Sequence, residues 1–309
     1  MSKYEASMKL SVVIPCYNAE AVIGHQLEAL TRQSWSGSWE VIVADNGSTD
    51  GSMRVVAQYA GRIMNIRAVD AAGQRGAGYA RNIGVQASTG DAVVFCDADD
   101  EVAPGWLTAM GTALSKFDFV ACGLDEAKLN PYWAKIHNNS QLHNLLKLEW
   151  YPYFSYAGGG SLGIKRDLFE KVGGFDERIQ YCEDTDFCCR VQLSGVALYP
   201  APDAVVHIRS RASIFGLFRQ ARNWGKGSVL IFKRYRVRQD RGLWRWHACW
   251  LRWKWMLQDI RNMGDAKGRA SLVWKIGWEI GLLLGSIKHR VPPPCREAYR
   301  ARSTEGGRR

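Results

Sequence analysis

Ala92-Val93-Val94-Phe95-Cys96-Asp97-Ala98-Asp99-Asp100-Glu101 is the stretch on which the fold turns. Five apolar residues without a polar break read as a strand buried on both faces, as parallel strands are. The acids begin where the strand ends, and open α/β sheets bind their ligands at the carboxyl ends of strands. Two carboxylates one residue apart suit a hard divalent cation, because Mg²⁺ typically takes one or two carboxylates together with phosphate oxygens. A solvated acidic loop would carry the same letters, so the assignment depends on the company this stretch keeps.

Upstream and downstream, strand-like and helix-like segments alternate. Leu10 to Ile14, Glu40 to Ala44, Ile66 to Val69 and Phe117 to Cys122 join Ala92 to Cys96 as predicted strands. Between them, Asn18 is placed to cap a helix with Val22, Ile23, Leu27 and Leu30 on its apolar face. Met53, Val56, Ala57 and Ala60 mark a second helix, Tyr79 to Ala87 a third, and Pro104 opens a fourth. This alternation predicts a Rossmann-like, mostly parallel sheet with helices on both faces. Residues 126–157 show no clean periodicity. Beyond them, Asp167 with Glu170 reads as a helix-start box and Gly173-Gly174 as that helix's end, with a further helix over 183–194.

Composition describes a globular chain of 309 residues, 47% hydrophobic and 23% charged. Its net charge of +11 conceals an asymmetry. Residues 1–207 carry 17 Lys and Arg against 24 Asp and Glu, whereas residues 208–309 carry 24 against 6. An acidic front and a basic back imply two tasks. Leu10 to Ile14 is too short for the apolar core of a signal peptide. The eight cysteines show no C-x-x-C spacing, which points to reduced, buried thiols and a cytosolic compartment. Cys188-Cys189 fits core packing better than a metal or redox pair.

Four signals fall in a fixed order. They are Ser11-Val12-Val13-Ile14-Pro15-Cys16-Tyr17-Asn18, then Val43-Ala44-Asp45-Asn46-Gly47-Ser48-Thr49-Asp50. The third runs from Ala80-Arg81-Asn82-Ile83-Gly84 to Asp97-Ala98-Asp99-Asp100, and the fourth from Gly173-Gly174-Phe175-Asp176-Glu177 to Glu183-Asp184-Thr185-Asp186. Together they resemble the family 2 glycosyltransferases of the GT-A fold, over roughly residues 9–210. The resemblance implies an inverting transfer of a sugar from a nucleotide-sugar donor to a hydroxyl-bearing acceptor. It implies that Pro15 and Tyr17 flank the nucleotide, Asp45 meets base or ribose, Arg81 reaches the diphosphate, and Asp97 contacts ribose or sugar. Asp99 would hold a divalent metal, Mg or Mn, with His207 as a second ligand. Asp184, or else Glu183, would be the catalytic base. Two of these residues have plainer readings: Arg81 as a salt bridge pinning its helix, and His207 as a packed core residue. Asn46 stands where many members carry a second acid. Gly158-Gly159-Gly160-Ser161-Leu162-Gly163 satisfies G-x-G-x-x-G, but no clean strand precedes it, so a dinucleotide site is rejected. In the family this stretch lines the donor and acceptor cleft.

The expected organisation is a GT-A glycosyltransferase domain over 1–212, with a nucleotide-sugar half to about 124 and an acceptor half beyond. A basic, Trp-rich helical extension follows over 213–290, then a loose tail over 291–309. Seven of the thirteen Trp lie between Trp244 and Trp278. No nucleic-acid recognition module is visible. The extension suits either a cap over the cleft or attachment to an anionic membrane surface, where Trp and basic residues are favoured. A spanning helix is not expected, because Lys275 and Glu279 interrupt Leu272 to Ile287. Leu272, Ile276, Ile280, Leu283 and Ile287 mark one face of a helix there, and Gly277, Gly281 and Gly285 a small-residue stripe. A lipid-linked or cell-surface glycan acceptor at the cytoplasmic face would account for such an extension. A catalytically idle scaffold is the alternative. A nucleotidyltransferase would need a basic glycine-rich loop where Pro15-Cys16-Tyr17-Asn18 stands.

Overall fold

The computed structural model describes residues 8–136, 141, 144–148, 154–236 and 264–294. The cluster Trp244 to Trp255, Arg238 and the tail from 295 lie outside the described residues. Contacts divide the chain into two units. The first comprises residues 1–129, 139–146 and 156–209, and the second comprises 130–138, 147–155 and 210–309.

The first unit is built on one eight-stranded sheet. Its strands are β1 (Leu10–Cys16), β2 (Trp39–Asp45), β3 (Ile66–Asp70), β4 (Ala92–Phe95), β5 (Glu101–Val102), β6 (Phe119–Asp125), β7 (Leu162–Lys165) and β8 (Tyr199–His207). They lie in the order β3-β2-β1-β4-β7-β6-β8-β5. β3, β2, β1 and β4 run parallel. β7 inserts antiparallel between β4 and β6, β6 runs parallel to β8, and β5 closes the edge antiparallel. The expected mostly parallel sheet is therefore present.

Because side chains alternate across a strand, each central strand feeds two cores. Val12, Ile14, Val41, Val43 and Val94 pack with α1 (Ile23–Leu30) and α4 (Trp106–Leu114) on one face. Val13, Ile42, Val93 and Phe95 pack on the other with α3 (Ala77–Ala87), α5 (Arg166–Val172) and α6 (Glu183–Leu193). The short helix α2 (Ser52–Ala57) follows β2. Cys188 and Cys189 are buried free thiols, as core packing requires.

Two local expectations need correction, and one strand was not expected. Asn18 does not cap α1, which begins at Ile23; it sits at φ 48° and its Oδ1 accepts from the Thr49 N–H at 2.8 Å. Asp167 falls inside the first turn of α5, and Lys165 occupies the cap position. Gly173, at φ 80°, does end that helix. β8 carries Pro200 and Pro202, residues unusual inside a strand, and its register shifts between Ala201 and Val205.

In the second unit, α7 (Ile214–Tyr235) and α8 (Ala266–His289) pair closely. Ser213 caps α7 by accepting from the Gly216 N–H, and Asp265 caps α8 by accepting from the Gly268 N–H. A methyl group at Gly277 would lie 2.6 Å from the Phe218 carbonyl oxygen, and one at Gly285 2.9 Å from that of Lys226. At Gly281 it would overlap the Arg222 carbonyl. The two helices thus run in the same direction with backbones in contact, a close approach that small residues on one helix face permit. The glycine stripe is the docked face. The Leu/Ile stripe is not: Leu283 and Ile287 are 46% and 76% exposed. At 24 residues α8 is also longer than its sequence suggested, and by length and composition it is long and apolar enough to cross a membrane.

Glu40 ties the sheet to the α3–β4 turn. Its carboxylate accepts from Ser11 Oγ at 2.7 Å, from the Thr89 N–H and hydroxyl, and from Arg67 Nη1 at 2.7 Å. Burial alone would raise its pKa, but these donors outweigh burial and hold it at about 2, below its ordinary 4.5. Glu40→Gln should cost about 2–4 kcal/mol at neutral pH. A depressed carboxylate contributes stability above about 4.5 that is lost as pH falls toward 2. Urea melts of wild type and variant should therefore differ at pH 7 and converge near pH 2; a constant gap would refute the assignment. Gly281→Val should overpack the helix pair by about 1–3 kcal/mol. Amide exchange should then quicken in α7 and α8 while β1 and β2 keep their protection.

Candidate active site

The chain leaves β1 toward one edge through β2 and β3, then returns to the other side of β1 as β4. That reversal makes a crevice at the carboxyl ends of β1 and β4, the switch point where such sheets take ligands. Pro15 is half-buried within β1, and Tyr17 follows it, 45% exposed, with the Arg75 guanidinium 4.4 Å from its ring centroid. Asp45 ends β2, and its Oδ1 accepts from the Ser48 N–H at 2.9 Å. Asn46 is buried and donates to the carbonyls of Ala71 and Gln74 while accepting from the Gly76 N–H. An aspartate could not make the two donations, which explains an amide at this position. Asn46 thereby suspends the loop that carries Arg75.

Asp97, Asp99 and Asp100 follow β4, and one carboxylate oxygen from each lies within 4.8 Å of the others. Burial raises the Asp100 pKa well above the carboxylate range, and the charges of Asp99 and Asp97 add to it. Arg209 opposes this: its N–H donates to Asp100 Oδ1 at 2.9 Å and its Nε to the Asp99 carbonyl at 3.0 Å. Three crowded hard oxygen donors fit a divalent cation. His207 is not part of this three-acid group; its Nδ1 lies 2.8 Å from Asp125 Oδ2. With the proton on Nδ1, the Nε2 lone pair is free for a ligand role, the arrangement of carboxylate-oriented histidines in metal sites.

On the facing wall, α6 begins at Cys182, which adopts φ 63° and sets Glu183 and Asp184 into the first helical turn. Arg81, on α3, joins the two walls. It is 4% exposed, donating through Nη2 to Asp97 Oδ1 at 2.8 Å and through Nη1 to Glu183 Oε1 at 3.1 Å. Burial would lower the guanidinium's pKa, but Asp97 and Glu183 outweigh it and keep it charged. Asp184 accepts from the Gly159 N–H at 3.0 Å and from the Thr185 N–H at 2.7 Å. Burial, reinforced by Asp184 and opposed by Arg81, raises Glu183 to about 7. Burial also raises Asp184, against Arg81 and its two N–H donors. Two acids this close titrate as a pair.

The glycine run has a steric cause. A methyl group at Gly159 would meet Arg81 Nη1 at 2.5 Å, and one at Gly160 would meet Asp97 Cγ at 2.6 Å. Neighbouring motif residues act as ties. Asn82 donates to the Phe175 carbonyl and Glu177 Oε1 and accepts from the Phe175 N–H. Buried Asp186 accepts from Arg190 Nε at 2.8 Å. Below them, Phe175 stacks on Phe187 at 4.4 Å and meets Phe95 edge-on at 5.6 Å.

The structure thus joins Asp97, Arg81 and Glu183 directly and Asp184 by way of Gly159, sets Asp99 and Asp100 beside Asp97, and pairs His207 with Asp125. Asp100, Arg209, Asp125 and Asn82 were missed as site residues. Asp100 and Asn82 stood inside quoted motifs, whereas Arg209 and Asp125 carried no signal of their own.

Comparison with known proteins places the family and the fold. The model of "Glycosyl transferase family 2" matches residues 11–173, and that of "Glycosyl transferase family group 2" matches residues 93–286. The chain is 28% identical over 276 residues to Glycosyltransferase AglE of Haloferax volcanii, covering 85% of this chain and 89% of that protein. It is 38% identical over 126 residues to the uncharacterized glycosyltransferase YibD of Escherichia coli, covering 41% of this chain but only 35% of that relative's length. Among solved structures, the mannosyltransferase PcManGT of Pyrobaculum calidifontis, in complex with GDP-Man and Mn2+, superposes with a TM-score of 0.57 at 18% identity, over 96% of this chain and 79% of that one. S. aureus TarS 1-349 in complex with UDP gives 0.52 at 16% identity, over 92% of each chain. These likenesses establish a GT-A fold.

If the three acids hold a cation, the paramagnetic signal of free Mn²⁺ should fall on titration with protein. Asp99→Asn should weaken that binding by about tenfold, the loss typical of a disturbed coordination shell. Equal binding by the variant would remove Asp99 from the site.

Proposed function

The chain belongs to glycosyl transferase family 2, and from that premise we propose that it moves a sugar from a nucleotide-sugar donor to a hydroxyl on a glycan or lipid-linked acceptor, with inversion. One observation carries the proposal. Asp97 at the end of β4 and Asp184 at the start of α6 line one crevice, linked through Arg81, Glu183 and Gly159. A donor pocket and a base must share such a space for a single displacement.

On this reading Pro15 and Tyr17 flank the nucleotide, and the exposed ring of Tyr17 lies against the nucleobase. Asp45 accepts hydrogen bonds from base or ribose, and Asp97 contacts ribose or sugar. Asp99, assisted by Asp100 and His207, holds a divalent cation. Such a cation neutralises charge on the departing diphosphate. Asp184 takes the proton of the acceptor hydroxyl as its oxygen bonds to the anomeric carbon and the bond to phosphate breaks. Asp184 is favoured over Glu183 because Glu183 is engaged by Arg81, whereas among the described residues the Asp184 oxygens accept from the Gly159 and Thr185 N–H groups and the Thr185 hydroxyl. A carboxylate with about four lone-pair sites keeps room for one more donor.

The basic second unit supports placement at an anionic membrane surface on the cytoplasmic side, through residues 213–290. Among the described residues, Ile214, Phe215, Trp224, Leu283, Leu284 and Ile287 are the exposed large apolar residues on the two helices, and they would enter the headgroup layer beside the basic side chains. The catalytically idle scaffold is disfavoured, because both the acid cluster and the base pair are intact.

Asp184→Asn should lower kcat by 10²–10⁴-fold, roughly the worth of general-base catalysis. The base must be ionised to work. Since the pair's proton affinity is raised, with Glu183 at about 7, turnover should climb as pH rises toward 7 and level off above it. Thermal shift with UDP- and GDP-sugars plus Mn²⁺ identifies the donor. A flat pH profile with an active Asp184→Asn enzyme would reject Asp184 as the base.

A further inference from the structure

Arg81 is buried within the crevice, 4% exposed, with both terminal nitrogens turned to carboxylates. Nη2 donates to Asp97 and Nη1 to Glu183, while Nε is buried without a partner among the described residues. Gly159 lies against the guanidinium so closely that a methyl group there would sit 2.6 Å from Cζ. The Phe175 ring lies on it as well, with its centroid 5.5 Å from Cζ. A diphosphate oxygen would have to displace a carboxylate or the Gly158–Gly160 backbone to reach it.

What Arg81 does touch is informative. Asp97 belongs to the loop after β4, on the proposed donor side. Glu183 begins α6, beside the proposed base. Gly159, pressed on the guanidinium, donates its N–H to the carboxylate of Asp184 at 3.0 Å. One planar fork therefore fixes the separation of two walls and, through Gly159, the orientation of a third carboxylate. A fork with donors at fixed angles can do this; a single ammonium cannot hold two acids in the same way.

We infer that Arg81 is a positioning residue, which holds Asp97 and the Glu183–Asp184 pair at the spacing transfer requires, and is not a ligand of the donor's diphosphate. The inference rests on the transferase reading above. It predicts a particular division of kinetic effects. Loss of a diphosphate ligand weakens nucleotide binding, whereas loss of a spacer leaves binding intact and lowers the chemical rate.

The test uses the full-length chain and Arg81→Lys, which keeps the charge and removes the fork. Binding of UDP and GDP with Mn²⁺ is measured by calorimetry, and release of UDP or GDP from UDP-GlcNAc or GDP-mannose gives kcat and KM. The expected result is a Kd within about threefold of wild type and a kcat lowered by about 100-fold, the scale on which small misplacements act. Gly159→Ala probes the same contact from the other side and should show the same division. The double variant should be less damaged than the product of the two, because Lys leaves room for the added methyl group. A tenfold weaker Kd with kcat retained in Arg81→Lys would overturn the inference and leave the transferase reading standing. Unchanged kinetics in Gly159→Ala would also overturn it. A wild-type chain that binds neither nucleotide and releases none would overturn both.

Discussion

A guanidinium enclosed between two carboxylates is the constraint on which the rest of this crevice depends. Removing one partner from a buried pair leaves a charge without compensation and costs about 3–5 kcal/mol. The Arg81 side chain therefore cannot relax independently of Asp97 or Glu183. Three segments far apart in sequence are brought to fixed separations by that requirement, and the glycine run follows from it because no larger residue fits over the guanidinium. Asn82, one residue on, applies the same logic with neutral groups by matching the N–H and carbonyl of Phe175.

Around this centre acids outnumber bases. Asp97, Asp99, Asp100, Glu183 and Asp184 share Arg81 and Arg209 as their cationic partners among the described contacts. Burial raises Asp100, Glu183 and Asp184, and neighbouring acids add to it at Asp100 and Glu183. The helical first turn works in the other direction, because the N-terminus of α6 favours negative charge on Glu183 and Asp184. A crevice poised in this way holds protons readily near neutrality and groups three acids in a form that suits a cation, and both properties fit the transfer proposed above.

Much of this was legible in the sequence, for identifiable reasons. β1, β2 and β4 are mostly apolar, interrupted within by Ser11 and Glu40, since both their faces are covered, and each leads into residues of the crevice. The acids and Arg81 could be read because they sit at strand ends or on the helix leading to one. What could not be read required knowledge of partners. The Asn18 amide is spent on Thr49 and not on a helix end. β8 holds Pro200 and Pro202 inside a strand whose register shifts. Arg81's commitment to two acids and the docking of α8 by glycines, not by its Leu and Ile residues, depend on distances that no spacing along the chain reveals.

The ties between motifs join residues very far apart in the chain: Arg81 to Glu183 spans 102 positions, Asn82 to Phe175 spans 93, and Gln74 to Glu177 spans 103. Contacts of such range form late, because loop closure must precede them. During synthesis, α3 emerges from the ribosome roughly 5–20 s before α6, at ordinary elongation rates. Throughout that interval Arg81 has no Glu183 to meet. A nascent or truncated chain ending before α6 can assemble β1 to β4 but must carry its arginine half-compensated. Competence for chemistry therefore arrives in one late step of folding, and fragments lacking α6 should be targets for chaperones, not partial enzymes.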